Sequence, residues 1–269
     1  MATRQGITDD AEATLLQGLL FSQKEIFSSL RKLLAQIDRS GGRLVLNSDT
    51  VNLINKADRD IRKALNSAGY DKRVTEYLKD FDRIKEATIL EQKRVNDITV
   101  PFRPLNNIQK SAIQQTTNIL LGNGLDANVI QPVKDILLQA ASSGMTIGEA
   151  ELLLRNTIMG NVERLGKLSR YVTQISRDAI EQYNGLLQSR IAVELDLDGF
   201  SYEGSIIKDS REQCRRWTAM GEIPIKDLQG EIQWAYNNGS GMIPNTTPEN
   251  FSVYRGGYSC RHQVTAIRL

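Results

Sequence analysis

The sequence predicts a mainly α-helical N-terminal region followed by a small α+β C-terminal domain. Apolar residues recur at three- and four-residue spacing through most of residues 9–195, which is the period of one face of an α-helix. After Asp198-Gly199 this pattern gives way to an aromatic, strand-like segment and a long stretch dominated by Gly, Pro, Asn and Ser. Both cysteines and the single histidine also lie in this last part of the chain.

The first predicted helix covers residues 9–37. Thr8 is placed to cap it, and Ser40-Gly41-Gly42 is expected to end it. Its apolar positions form a single stripe: Leu16, Leu19, Leu20, Ile26, Phe27, Leu30, Leu33, Leu34 and Ile37.

Further helices are predicted along the chain by the same periodicity. Thr146 and Glu149 have the spacing of a capping box, in which hydroxyl and carboxylate each accept from a backbone donor at the helix start. Pro101 and Pro104 disfavour helix and predict a hinge or boundary at 98–104. The predicted helices are 49–67, 71–96, 105–121, 129–142, 147–158 and 161–194.

The breaks between these helices suggest three consecutive regions. Residues 1–100 form a long-helix region, residues 105–165 a short-helix region, and residues 166–269 an α+β domain. In that last domain, helix 171–194 is expected to pack on a small sheet built from strands 200–204 and 264–267.

Composition places the chain among ordinary globular proteins rather than membrane or strongly basic ones. It has 269 residues, 40% of them hydrophobic and 25% charged. No apolar run approaches the ~20 residues that span a bilayer, and the N-terminus lacks an apolar signal core. The net charge of +2 argues against a broad electrostatic grip on nucleic acid.

Cys214, Cys260 and His262 are the residues whose chemistry is most open to interpretation. The favoured hypothesis is two small buried thiols and a hydrogen-bonded histidine, with no metal and no cofactor. A zinc site with Asp209 as fourth ligand is an alternative, although the paired Cys-x-x-Cys spacing is missing. A Cys214–Cys260 disulfide is the other alternative, in an oxidising environment.

No catalytic residue is predicted. Cys260 and His262 are two residues apart and would point to the same face of a strand, but a working dyad also needs an orienting group and an oxyanion site. Gly256-Gly257 is interpreted as a tight turn that needs positive φ at one glycine, because no phosphate-loop motif surrounds it.

Basic and aromatic residues of the C-terminal domain are candidates for a binding surface. We favour a protein interface over a nucleic-acid surface, because Arg, Trp and Tyr are the usual anchors of protein interfaces and the net charge is low. The candidates are Arg215, Arg216, Trp217, Trp234, Arg255, Tyr258 and Arg261.

The order of motifs over roughly 165–269 resembles a known phage family. A long helix carries Ser176-Arg177-Asp178-Ala179-Ile180, a short strand covers 200–204, Asp209-Ser210-Arg211-Glu212-Gln213-Cys214 follows, and Gly256-Gly257-Tyr258-Ser259-Cys260-Arg261-His262 closes the pattern. This arrangement is similar to the C-terminal domain of phage Mu F-like minor head proteins, which act in head morphogenesis.

The resemblance implies a structural protein of the virion head, assembled in the host bacterial cytoplasm and present in a few copies. Its implied partners are the portal and capsid proteins, with contact to packaged DNA and none to a membrane, and its implied role is head assembly and DNA packaging or delivery. A metal-dependent nuclease or hydrolase that uses the Cys/His cluster is the alternative. The residues expected to hold the domain together are Tyr202, Asp209, Arg211, Cys214, Gly257, Cys260 and His262.

Overall fold

The computed structural model describes residues 3–269, with the backbone alone at position 102. The chain is mainly helical with a small sheet near its C-terminal end, which confirms the predicted fold class. It divides into two compact units, each built from separate stretches of sequence. We call them the sheet unit (residues 3–11, 79–114 and 176–269) and the helical unit (residues 12–78 and 115–175).

Twelve α-helices are found in the described residues. A π-helical turn at Asp126–Ile130 leads into the seventh of them. Their bounds are α1 Arg4–Leu16, α2 Leu19–Leu34, α3 Ser48–Ser67, α4 Tyr70–Asn96, α5 Phe102–Leu121, α6 Asn123–Leu125, α7 Gln131–Ser142, α8 Ile147–Met159, α9 Lys167–Glu194, α10 Glu212–Met220, α11 Leu228–Asn238 and α12 Phe251–Tyr254.

The helical unit is held together mainly by apolar stripes. Helix α2 packs on α3 and α8, and α3 packs on α7. The buried positions of α2 include Ile26, Leu30 and Leu34, which have the spacing that the sequence analysis identified. A two-residue ladder joins β1 (Arg39–Ser40) to β2 (Arg43–Leu44) after this helix.

The prediction of one helix over residues 9–37 was wrong. The structure has two helices, α1 and α2, and the chain turns between them at Gly18, whose φ is 76°. This left-handed backbone conformation is readily adopted by glycine. Periodicity alone did not reveal the break, because apolar residues continue at helical spacing on both sides of it. Helix α1 also begins at Arg4, so Thr8 lies inside the helix rather than at its cap.

Some helix ends agree with the predicted ones and others do not. Helix α3 is capped by Asn47, whose side chain accepts from the backbone N–H of Thr50. The capping box of α8 is confirmed: Thr146 accepts from the Glu149 backbone, and Glu149 accepts from the Thr146 backbone. Helix α9 begins at Lys167, six residues later than expected from the sequence.

The sheet unit contains a three-stranded antiparallel sheet in the order β4-β3-β5. Its strands are β3 (Gly199–Glu203), β4 (Glu222–Pro224) and β5 (Gln263–Ile267), with β3 in the centre. Phe200 pairs with Ala266 and Tyr202 with Val264. Helix α9 contacts β5 through Gln188, whose side-chain oxygen accepts from the backbone N–H of Ala266 at 2.8 Å.

The three consecutive regions predicted from the sequence differ from the two units observed. The boundaries between the units fall inside helices α1, α4, α5 and α9. The gap between α4 and α5 covers residues 97–101, so the predicted break at 98–104 is right only in its first part, and Pro104 lies in the first turn of α5. Residues 79–114 on both sides of the gap belong to the sheet unit. Breaks in the helical pattern locate helix ends, whereas compact units depend on which segments pack together.

Candidate functional site

The two cysteines and the histidine converge in the sheet unit, although three separate segments carry them. Cys214 lies on α10, and Cys260 and His262 lie in the segment that leads into β5. Tyr202, on the central strand β3, lies beside all three side chains. The ligating atoms of the two cysteines and the histidine all lie within 4.8 Å of one another.

Tyr202 connects the two sulfur atoms. Its hydroxyl lies 3.5 Å from Cys214 Sγ and 3.5 Å from Cys260 Sγ, and Cys260 Sγ lies 3.7 Å from His262 Nδ1. The exposed fractions of Cys214, Cys260 and His262 are only 3%, 4% and 5%. Both cysteines are free thiols. We refer to Tyr202, Cys214, Cys260 and His262 as the thiol cluster.

Aromatic rings form the wall behind the thiol cluster. The rings of Tyr202 and His262 are stacked with centroids 5.2 Å apart. Trp217 meets Tyr202 edge-on at 5.4 Å and Phe251 edge-on at 5.1 Å. Because these rings are buried and in mutual contact, they fix the orientation of Tyr202 and His262.

The backbone of Gly256 covers the thiol cluster. A Cβ at this position would lie 2.4 Å from Cys214 Sγ and 2.8 Å from the Tyr202 hydroxyl, so no larger residue fits without displacing them. The Gly256 carbonyl accepts hydrogen bonds from Arg211 Nη1 at 2.9 Å and Gln213 Nε2 at 3.0 Å. These bonds fasten the closing motif to the start of α10.

Gly257 supplies the positive φ that the sequence analysis assigned to the Gly256-Gly257 turn. Its φ is 102°, and a Cβ there would lie 1.9 Å from the Gly241 carbonyl oxygen. Both the backbone conformation and the close approach therefore require glycine.

Each of the two thiols shifts the pKa of the other. A hydrogen bond from the Cys214 thiol lowers the pKa of Cys260, and contacts from His262 and Tyr202 act in the same direction. The shared hydrogen bond, together with burial, raises the pKa of Cys214. One thiolate is therefore stabilised in the cluster, while a second needs a compensating positive charge.

A cleft of about 590 Å³ opens next to the thiol cluster. Cys214, Cys260 and His262 all line it, and charged side chains of both signs surround them. The charged lining residues are Glu203, Asp209, Arg211 and Arg261.

Asp209 lies apart from the thiol cluster, whereas Arg211 binds the backbone of the closing motif. Asp209 is exposed at the rim of the cleft and does not belong to the group of clustered ligating atoms found in the described residues. Arg211 donates to the carbonyls of Gly256 and Tyr258. Of the seven residues expected to hold the domain together, Asp209 is exposed, Arg211 is half-buried and the other five are buried.

Two of the seven interface candidates must be corrected. Trp217 is fully buried among the aromatic rings, and Arg255 is buried with its guanidinium donating to the Glu181 carbonyl at 2.6 Å. Neither residue is available to a partner at the surface. Arg216, Tyr258 and Arg261 are exposed, and Arg215 and Trp234 are half-buried.

A buried charged network in the sheet unit was missed by the sequence analysis. Arg4 pairs with Glu91 at 2.7 Å and donates to Asn184, to the Val264 carbonyl and to the Thr265 hydroxyl. The network links residues up to 261 positions apart, and no local pattern identifies such partners.

Glu181 lies in the same network and is almost completely buried. Arg255 Nη1 lies 3.7 Å from its carboxylate. Burial raises the pKa of Glu181, and the nearby charges of Arg255 and Arg4 oppose that shift. A buried charged group of this kind is tolerated because cations surround it.

Neither known protein families, nor characterised proteins, nor solved structures give a match to this chain. Within residues 3–269, no helix has both the length and the apolar character needed to cross a bilayer.

Proposed function

We propose that the chain is a structural virion protein of the phage Mu F-like minor head type. In this role it associates with the portal, and it acts in head assembly and in DNA packaging or delivery. Its partners are the portal and capsid proteins, and it works in the virion head. It is not proposed to be an enzyme.

The observation that carries this proposal is the convergence of the two resembling motifs. The segment 209–214 and the segment 256–262 are more than forty residues apart, yet Arg211 and Gln213 bind the Gly256 carbonyl and Cys214 lies beside Cys260. The strand of the pattern, β3, supplies Tyr202 to the same cluster. Because the motif residues pack together as one unit, they support a common origin with phage Mu F-like minor head proteins better than scattered matches would.

The surface around the closing motif is suited to a protein partner. Tyr258 and Arg261 are exposed next to the buried thiol cluster, so they project from a well-fixed backbone. Aromatic and arginine side chains on rigid backbone make effective interface anchors, because little conformational entropy is lost when they bind.

The test is co-purification of the full-length chain with the portal and major capsid proteins encoded by its neighbouring genes. Full-length protein is required because residues 3–11 and 79–114 belong to the sheet unit, so a deletion of residues 1–165 would remove part of that unit. Stable association with either partner is the expected result. Absence of both complexes in co-expressed and in mixed samples would contradict the proposal.

A matched pair of charge variants makes this test specific. Arg261→Ser and Lys110→Ser each remove one exposed positive charge, but only Arg261 adjoins the closing motif. We expect Arg261→Ser to weaken the complex about tenfold, as for loss of an interface arginine worth ~1.4 kcal/mol, and Lys110→Ser to leave it unchanged.

A metal-dependent nuclease or hydrolase is the second candidate function. The observation in its favour is that two sulfurs and an imidazole line a cleft large enough for a small substrate. Hydrolysis of DNA or of an activated ester by protein supplied with Zn²⁺ or Mn²⁺, and its loss in His262→Gln, would favour this candidate. Binding to the portal without any such turnover would favour the structural role.

A further inference from the structure

We infer that Cys214, Cys260 and His262 form a zinc-binding site with three protein ligands, whose fourth position is filled by water from the adjoining cleft. This inference does not rest on the proposed virion role. A protein of any function could use such a site to stabilise the segments that carry the ligands.

The distances within the thiol cluster are those of a tetrahedral zinc site. Zinc binds sulfur at ~2.3 Å and histidine nitrogen at ~2.0–2.1 Å, so tetrahedral geometry separates these two ligands by roughly 3.5 Å. Cys260 Sγ and His262 Nδ1 are 3.7 Å apart. All three ligating atoms lie within 4.8 Å of one another, so binding requires only small side-chain movements.

The donor types point to zinc rather than to magnesium or calcium. Two thiolates and one imidazole are soft or intermediate ligands, whereas Mg²⁺ and Ca²⁺ prefer oxygen. Two thiolates also neutralise the double charge of Zn²⁺. A neutral complex is favoured at a site where each ligand is at least 95% buried, because an uncompensated charge there is costly.

Neighbouring groups provide the support that metal ligands need. The Tyr202 hydroxyl, 3.5 Å from both sulfurs, can donate a hydrogen bond to a metal-bound thiolate. The His262 ring is held by stacking on Tyr202. Its Nε2 atom is buried and accepts or donates no hydrogen bond among residues 3–269. The imidazole is therefore positioned by packing and not by a competing polar partner.

The open side of the cluster agrees with three protein ligands and one water. Cys214, Cys260 and His262 each border the cleft, while the Gly256 backbone and the Tyr202 ring cover the other sides. Bound zinc would link α10 to the segment before β5. Removal of the zinc would weaken this link between α10 and the segment before β5.

The experiment measures the metal content of full-length protein purified without a histidine tag. We expect about one zinc per chain by elemental analysis. Replacement of zinc with Co²⁺ should give the sulfur-to-cobalt charge-transfer absorption that reports thiolate ligation directly. Reactivity of the two thiols toward a disulfide reagent should fall when zinc is added to the metal-free protein.

Variants distinguish ligands from neighbours. Cys260→Ser and His262→Gln should each lower zinc affinity by at least a hundredfold, whereas Tyr202→Phe keeps all three ligands and should lower it by ten- to a hundredfold at most. Far-UV circular dichroism checks that each variant is folded. If Cys260→Ser fails to fold, His262→Gln and the cobalt spectrum of the natural chain still decide the question.

Three results would overturn the inference. The first is folded, reduced protein with two free thiols that binds neither Zn²⁺ nor Co²⁺ at micromolar concentration. The second is protein in which mass spectrometry finds a Cys214–Cys260 disulfide that persists under the reducing conditions of the cytoplasm. A cobalt spectrum without sulfur charge transfer would also exclude the two cysteines as ligands.

Discussion

The two units of this chain are stabilised in different ways. The helical unit relies on apolar stripes along helices that are neighbours in space, such as Ile26, Leu30 and Leu34 of α2. The sheet unit relies on buried polar and aromatic side chains from distant parts of the chain, including Arg4, Tyr202 and Trp217. In the helical unit the stabilising contacts are spread over many similar apolar positions. In the sheet unit they are concentrated in a few residues, each with its own set of partners.

This difference predicts unequal responses to mutation. Loss of one member of an apolar stripe leaves a cavity but no unsatisfied polar group, whereas loss of one member of the polar network leaves buried partners unsatisfied. Both tryptophans, Trp217 and Trp234, lie in the sheet unit. Tryptophan fluorescence therefore follows unfolding of the sheet unit, while far-UV circular dichroism follows the helices of both units.

The largest effect is expected for Trp217→Ala. Trp217 is fully buried, contacts Tyr202 and Phe251, and donates to Glu231 at 3.0 Å. Removing it should lower the free energy of unfolding of the sheet unit by about 3–5 kcal/mol. Denaturant titration followed by the remaining tryptophan measures the effect. Trp234→Ala, at a half-buried position under Arg216, should cost only about 1 kcal/mol.

Arg4→Met should produce the next largest effect. The substitution leaves Glu91, Asn184 and the Thr265 hydroxyl without their buried partner, at a cost of about 3 kcal/mol. Arg31→Met in the helical unit breaks an exposed pair with Glu151 and should cost under about 1 kcal/mol. Chemical denaturation of both variants gives the comparison. Equal effects in the two variants would contradict the difference between the units.

Glu231→Gln tests a partly buried ion pair. Arg216 binds both carboxylate oxygens of Glu231, at 2.7 and 2.8 Å, and these hydrogen bonds lower the pKa of Glu231. Because the folded-state pKa is depressed, the stabilisation is present above the ordinary glutamate pKa of about 4.3 and is lost as the pH falls through the folded value. The variant should be about 1–2 kcal/mol less stable at pH 7, after allowance for the exposure of Arg216.

The pH profile of this pair provides its control. The stability gap between the natural chain and Glu231→Gln should stay constant from pH 7 down to about 4.3 and narrow as the pH falls below that value. Glu212→Gln removes a more exposed carboxylate that lies 3.9 Å from Arg215, and it should change stability by less than about 0.5 kcal/mol. If the stability difference between the natural chain and Glu231→Gln does not change with pH, the ionised Glu231 carboxylate does not stabilise the folded protein.

The smallest effect is expected for Thr146→Ala in the helical unit. The substitution removes the cap of α8 and should cost about 1 kcal/mol. Circular dichroism during thermal unfolding measures it. Thr75→Ala, at an exposed position inside α4, should be neutral or slightly stabilising because alanine is the better helix former there. A cost for Thr75→Ala as large as that for Thr146→Ala would argue against the capping role.

Local patterns predicted much of the fold. The stripes of α3 and α4, the capping box of α8 and the strands β3 and β5 all follow from spacing within about twenty residues. The break at Gly18 was missed because apolar residues continue at helical spacing across it. The two-unit division was missed because it depends on packing between segments that are far apart in the sequence.

The candidate site was predicted in part. The rarity of cysteine and histidine identified Cys214, Cys260 and His262, and the resemblance identified Tyr202 and Gly257. Gly256 and Gln213 were missed, since their roles arise from close approach to the cluster and from a bond to a distant carbonyl. A signal for Gly256 was present in the adjacent glycine pair, but the sequence does not show which of the two meets the sulfurs.

The position of Arg4 has a consequence for the order in which the chain folds during synthesis. Its partners Val264 and Thr265 lie on the last strand, so they leave the ribosome long after Arg4 does. All residues of the helical unit precede residue 176, so they leave the ribosome before the last strand does. Until Val264 and Thr265 have left the ribosome, Arg4 lacks these two partners, and the first turn of α1 cannot complete its contacts in the sheet unit.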